Sequence, residues 1–276
     1  MLNNGSLALF GSGETSSQGR KIHDYLMSRL GSVPVRVALL ETPAGFQPNV
    51  DAVYSKVGDF LVKSLQNFSP QIEYVRAFKK GTAQDPDSHD VVKPLLDARY
   101  IFSGPGSPTY AARNLRETRA LRYMVESCSK GATIALSSAA VLSAGSHAMR
   151  VYEIFKAGDE LGWESGLGLL SMLGLGIDPV IVPHWNNSEG GAGLDTSHCY
   201  MGQERFDLLM EMLPGGTPVL GIDEHTACIL EAGEAEFKVM GAGGATIING
   251  SETTIVPSGS SFPLILLKPA LRIRHA

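Results

Sequence analysis

The stretch ATIALSSAAVLSAG (132–145) carries the reading of this chain. A short apolar run rich in β-formers stops at two serines, and small residues follow for two or three helical turns. A buried strand turning directly into a helix is the repeating unit of a parallel sheet, and a serine at that turn is where several hydrolase folds hold a nucleophile.

The same alternation recurs upstream. SLALF (6–10) ends at GSGET, VRVALLET (35–42) at PAGFQPN, IEYVRAF (72–78) at a polar loop, and YIFSG (100–104) at PGSP. Helical patterns follow each turn, running to about Leu30, over Val50–Leu65, over 90–97, and onward to Ser127. Alternation of this kind predicts a doubly wound, mostly parallel α/β sheet with helices on both faces. Sites in such sheets lie beyond the carboxyl ends of the strands, so these turns are expected to gather on one edge. After residue 150 the pattern changes. DPVIVPHW (178–185) reads as one more buried strand, NNSEGGAGLDTS as a long aperiodic loop, and 202–213 as a helix. The remaining segments read as short strands and turns. The expectation is one α/β domain over residues 1–276 with a β-rich C-terminal portion.

Composition narrows the function classes. Of 276 residues, 43% are hydrophobic and 18% charged, an ordinary globular balance able to fill a sizeable core. No apolar run approaches the length of a membrane span, and MLNNGSLALF has no basic segment before its short apolar stretch. Three unevenly spaced cysteines, Cys128, Cys199 and Cys228, fit reduced thiols in a cytoplasmic protein. The net charge of −5 argues against nucleic acid or an anionic membrane as partner. The basic end LRIRHA (271–276) reads as a solvated terminus. No histidine–cysteine–carboxylate spacing suits zinc, and no cofactor is implied. GSGET and GAGG (241–244) complete no nucleotide fingerprint.

Three serines compete at the turn: Ser137, Ser138 and Ser143. Ser137 directly follows the five-residue run 132–136 and is the candidate nucleophile. Ser138 would begin the helix and offer its backbone N–H to an oxyanion. Ser143, well inside the helix, is expected to bond back to a carbonyl. The positions flanking Ser137 by two are Ala135 and Ala139, where a nucleophile elbow usually has glycines. A non-catalytic binding protein with a degenerate elbow is therefore the rival reading. His184, just past a predicted buried strand and before the long loop, is the candidate general base, with His198 its competitor. His23 and His147 fall in helical patterns, His89 in a charged loop and His275 at the terminus; His225 is expected at the site's edge. Gln47, Asn186 and Glu224 are candidates for shaping a substrate pocket.

Several segments together resemble one family, the serine peptidases that include dipeptidase E and cyanophycinase, whose fold is related to class I glutamine amidotransferases. FSGPGSPTYAARNL is similar to the family's glycine-rich loop, GATIALSSAA to its nucleophile elbow, and IVPHW to its histidine segment. VLGIDEHTACIL followed by FKVMGAGGATII resembles the cyanophycinase-type segment after the histidine. The resemblance implies a Ser–His–acid hydrolase, expected to cleave an amide bond in a small peptide or amide. Ser137 would be nucleophile, His184 base, and Gly106 and Ser138 the oxyanion donors. It also implies an acid between serine and histidine, where Glu153 is the closest match and Asp159 and Glu160 are neighbours. The family's substrates, aspartyl dipeptides and the β-aspartyl-arginine polymer, do not transfer with these motifs. A homodimer is compatible with the sequence.

Overall fold

The computed structural model describes residue 2 and residues 4–269. His275 and the basic end 271–276 lie outside the described residues. The chain lays down β1 (Ser6–Phe10), β2 (Arg36–Leu40), β3 (Gln71–Val75), β4 (Tyr100–Ser103) and β5 (Thr133–Ser137). The strands β6 (His147–Met149), β7 (Trp163–Ser165), β8 (Val180–Val182) and β9 (Val219–Ile222) follow. The C-terminal portion contributes β10 (Thr226–Leu230), β11 (Glu236–Gly241), β12 (Gly244–Asn249), β13 (Glu252–Pro257) and β14 (Ser261–Pro263). This is the expected mixed α/β fold around a large, mostly parallel sheet.

That sheet has eight strands in the order β14-β11-β10-β1-β5-β4-β2-β3. The five strands β1, β5, β4, β2 and β3 are mutually parallel, and the β10–β11–β14 edge runs antiparallel to its neighbours. A second sheet, β13-β12-β9-β8, pairs β8 and β9 in parallel. Strands β6 and β7 form a short hairpin-like pair. His147, expected in a helical pattern, begins β6 instead.

Side-chain alternation sorts the sheet into two cores. Ala8, Phe10, Leu39 and Phe102 pack with the helices Ser17–Met27 and Val50–Ser64 on one face. Leu7, Leu9, Leu40 and Leu136 pack on the other, against the helix Arg119–Ser129, the small-residue helix Ala139–Ala144 and the inner face of the second sheet. The parallel strands therefore read as continuous apolar runs because both faces are covered. Among the described residues no helix is long and apolar enough to cross a membrane.

Two buried ionisable groups lie close to the carboxyl edge of this sheet. His23 is fully enclosed by aromatic rings, with Phe10 stacked at 5.0 Å between centroids. Its Nδ1 accepts from the Tyr100 hydroxyl (2.6 Å) and its Nε2–H donates to the Glu14 carbonyl (3.0 Å). That is the full capacity of a neutral imidazole. Desolvation holds its pKa down to about 4, the Glu14 carbonyl acting weakly the other way. Glu41, just past β2, is fully buried, and neither carboxylate oxygen has a hydrogen-bond partner among the described residues. Desolvation pushes its pKa up to about 7, opposed by Arg76 and reinforced by Asp51.

These shifts have opposite linkage signs. Between about pH 4 and its ordinary 6.5, His23 binds a proton only in the unfolded chain, so its contribution to stability falls as pH drops. Between its ordinary 4.5 and about 7, Glu41 binds a proton only in the folded chain, so its contribution falls as pH rises. Urea unfolding at pH 5, 6 and 7 is expected to show Glu41→Gln gaining on the wild type as pH rises. His23→Gln is expected to gain on the wild type as pH falls.

Candidate active site

Strand β5 runs one residue further than the apolar pattern suggests. Ser137 completes it, opposite Phe10 of β1, and is wholly buried. Its hydroxyl donates to Glu14 Oε2 at 2.8 Å, which ties the GSGET turn to the end of β5. Ser138 is then the residue at which the chain turns. It has φ 52° and ψ −118°, immediately before the helix Ala139–Ala144. Positive φ is uncommon for any residue with a Cβ, and strain of this kind costs about 1–3 kcal/mol.

The contact expected of Ser137 is made by Ser138. Its Oγ lies 3.1 Å from His184 Nε2, and His184 Nδ1 lies 2.9 Å from Glu224 Oε1. A carboxylate only accepts, so Nδ1 carries the imidazole proton, and Nε2 of the neutral ring accepts from the serine hydroxyl. The same Glu224 oxygen accepts from Asn187 Nδ2 at 2.9 Å. The hydrogen bond from His184, with a smaller one from Asn187, holds the Glu224 carboxyl below its ordinary pKa despite desolvation. Glu224 is thus ionised at neutral pH, oriented and only partly exposed.

Three elements bring these groups together. His184 follows β8, and its N–H donates to the Gly11 carbonyl just past β1 (3.0 Å). Glu224 lies where the chain passes from β9 of the small sheet to β10 of the large one. Gly11 packs so closely there that a Cβ would stand 2.0 Å from the Asp223 carbonyl oxygen. The third element is the loop after β4. Gly106 has φ 151°, and a Cβ on it would stand 2.0 Å from the Pro43 carbonyl oxygen, so only glycine fits. The next residue, Ser107, caps the helix Pro108–Leu115 by accepting from the Tyr110 N–H. Its own N–H donates to the Pro43 carbonyl at 2.8 Å, so the loop is held from both sides.

The other sequence candidates are elsewhere. Glu153 does not meet His184; its Oε1 accepts from Thr109 Oγ1 at 2.6 Å. Asp159 pairs with Arg150 at 2.9 Å, and Glu160 is exposed. Gln47 and Asn186 do not line the cavity beside Ser138. Asn186 instead accepts the Glu224 N–H through Oδ1 at 2.8 Å, steadying the carboxylate's backbone. Ser143 donates back to the Ala140 carbonyl, as its mid-helix position suggests. His198 stacks on Phe206 with 4.5 Å between centroids. Ala135 and Ala139 flank Ser137 and therefore do not occupy the elbow positions of the residue that turns; those are Leu136 and Ala140.

The cavity beside Ser138 measures about 250 Å³ and is bordered by Gly106, Ala139 and His184. Ala139 begins a helix, and the first N–H groups of a helix have no internal acceptor. Gly106 and Ala139 thus bring their backbones to the same cavity as the Ser138 hydroxyl.

Strain at Ser138 is testable apart from chemistry. Ser138→Gly and Ser138→Ala both lose the hydroxyl, but only glycine accepts φ 52° without cost. Ser138→Gly is expected to be the more stable of the two by about 1 kcal/mol in chemical denaturation.

No family model matches the chain, and no curated protein matches it. Among solved structures, the chain is similar to the crystal structure of a peptidase from an acI-B1 Actinobacterium. That match has 20% identity and a TM-score of 0.74, covering 95% of this chain and 98% of the other. It is also similar to the structure of "a Putative Peptidase E Protein from Listeria monocytogenes EGD-e", with 15% identity and a TM-score of 0.53. There the coverage is 92% of this chain and 98% of the other. What the chain shares with both, over nearly its whole length, is the fold.

Proposed function

We propose that this protein is a serine hydrolase that cleaves an amide bond, a peptidase in the broad sense. Ser138 is the nucleophile, His184 the general base and Glu224 the orienting acid. The observation that carries the reading is the continuous relay Ser138 Oγ–His184 Nε2, His184 Nδ1–Glu224 Oε1, built on a strained serine at a strand end. The peptidase descriptions of the two similar structures point to the same class. Glu224 replaces Glu153 as the acid, and Ala139 replaces Ser138 as the second oxyanion donor, because the nucleophile sits one residue later.

The chemistry follows from the protonation states. Ser138 Oγ attacks the substrate carbonyl carbon as its proton passes to His184 Nε2. Glu224 stabilises the imidazolium that forms, and the oxyanion accepts from the Gly106 and Ala139 N–H groups. His184 then gives the proton to the leaving amine as the C–N bond breaks, leaving an acyl ester on Ser138. A water deprotonated by His184 cleaves that ester and restores the serine.

A fluorophosphonate probe followed by peptide mapping tests the assignment. The label is expected on Ser138; it should survive Ser137→Ala and vanish in Ser138→Ala. Glu224→Gln is expected to lower kcat by ~10³-fold or more, while Glu153→Gln leaves it within a few-fold. Absence of label from the folded protein would sink the hydrolase reading in favour of a binding protein on the same fold.

A further inference from the structure

Resting on the Ser138 assignment, we infer that the cavity beside this serine takes a large apolar or aromatic side chain, that of the residue supplying the scissile carbonyl. The cavity starts among Gly106, Ser138 and Ala139, the groups that would grip that carbonyl, so the adjoining side chain is the one that enters it. At about 250 Å³ it is smaller than the roughly 300–1,000 Å³ pockets that accept whole drug-sized ligands, and suits one side chain.

Its walls are more apolar than polar. Leu142 and Val151 are buried, and Tyr152, Phe155 and Tyr200 bring three rings to the same space. Tyr200 lies between the relay and the mouth, 5.7 Å from the His184 ring and 5.6 Å from the Phe155 ring between centroids. Its hydroxyl donates to Glu189 Oε2 at 3.1 Å, outside the cavity, which fixes the ring's face. Phe155 is 39% exposed, a large apolar surface left open at the mouth. Ring faces and edges spaced this way accept another ring in offset or edge-on contact, worth ~0.5–1.5 kcal/mol beyond area burial.

The charge inventory argues against a cationic side chain. No aspartate or glutamate lines this cavity, so a cationic side chain finds no counter-ion. Apart from His184, the single ionisable cation is Lys156, an exposed residue whose ammonium lies 4.5 Å from the Tyr152 ring centroid. At the mouth it repels a cationic side chain. Its ammonium already sits over the face of the Tyr152 ring, a cation–π contact that stays intact when an apolar or aromatic side chain fills the cavity.

Diphenyl phosphonate esters carrying the side chains of Phe, Leu, Asp, Arg and Gly, which react covalently with active serines, test this directly. The expected order of inactivation rates puts Phe and Leu ~10-fold or more above Asp, Arg and Gly. Phe155→Ala should shrink the Phe-to-Gly ratio, and Lys156→Glu should raise the Arg rate relative to Asp by ~10-fold. Fastest reaction with the Asp or Arg probe, or equal rates for all five, overturns the inference while leaving Ser138 as nucleophile if it carries the adduct. Failure of a simple fluorophosphonate to label Ser138 overturns the hydrolase reading, and this inference with it.

Discussion

The arrangement depends on one close approach of backbone to backbone at Gly11. Its carbonyl accepts the His184 N–H, its N–H donates to the Thr226 carbonyl, and its α-carbon lies against the Asp223 carbonyl. A side chain there would push apart the end of β1, the end of β8 and the passage from β9 to β10. Those three places hold the histidine and the carboxylate in register with Ser138, the serine just past β5. The GSGET turn, which resembles part of a phosphate-binding loop, thus has another task. Its glycine lets two sheets meet, while its Glu14 anchors the strand that ends in Ser137.

Much of this was legible in the residues. The β–turn–α alternation located five parallel strands to within two or three residues, and small residues after β5 marked close packing of helix on sheet. The nucleophile candidate was displaced by one position for a definable reason. The apolar run ends at Leu136, but backbone pairing with Phe10 carries the strand on to Ser137. Because side chains alternate along a strand, one further residue exchanges the buried serine for the turning one. Composition could not reveal this, since both residues are serine and only the partner strand's length separates them.

The carboxylate that meets His184 is Glu224 rather than Glu153 for a different reason. The resemblance directed attention to the segment between serine and histidine, where Glu153 sits among apolar neighbours. In space, the connection between β9 and β10 is nearer to His184, because β8 and β9 are parallel neighbours whose ends open on the same side. GIDEHTA carries the signal, an acidic pair directly after a buried strand, although the residues alone suggest for Glu224 only a part in shaping a substrate pocket. Backbone strain was also beyond sequence. Among the described residues, eight other than glycine have positive φ, and six of them are Ser138, His184, His198, Cys199, Tyr200 and His225. Four of these, Ser138, His184, Cys199 and Tyr200, line one cavity, the kind of place where folds tend to store strain for function.

The relay and the cavity wall are anchored differently. Ser138, His184 and Glu224 extend from the ends of buried strands, whereas Tyr152, Phe155 and Lys156 belong to one seven-residue helix, Val151–Ala157, with an exposed outer face. Changes on that helix can alter what enters the cavity without moving a strand end. For descendants of this chain, the shape of the cavity and the geometry of the hydrogen-bonded relay are therefore separable traits. New shapes for the cavity are open to single substitutions on one short surface helix, while the strand ends that hold Ser138, His184 and Glu224 tolerate little drift.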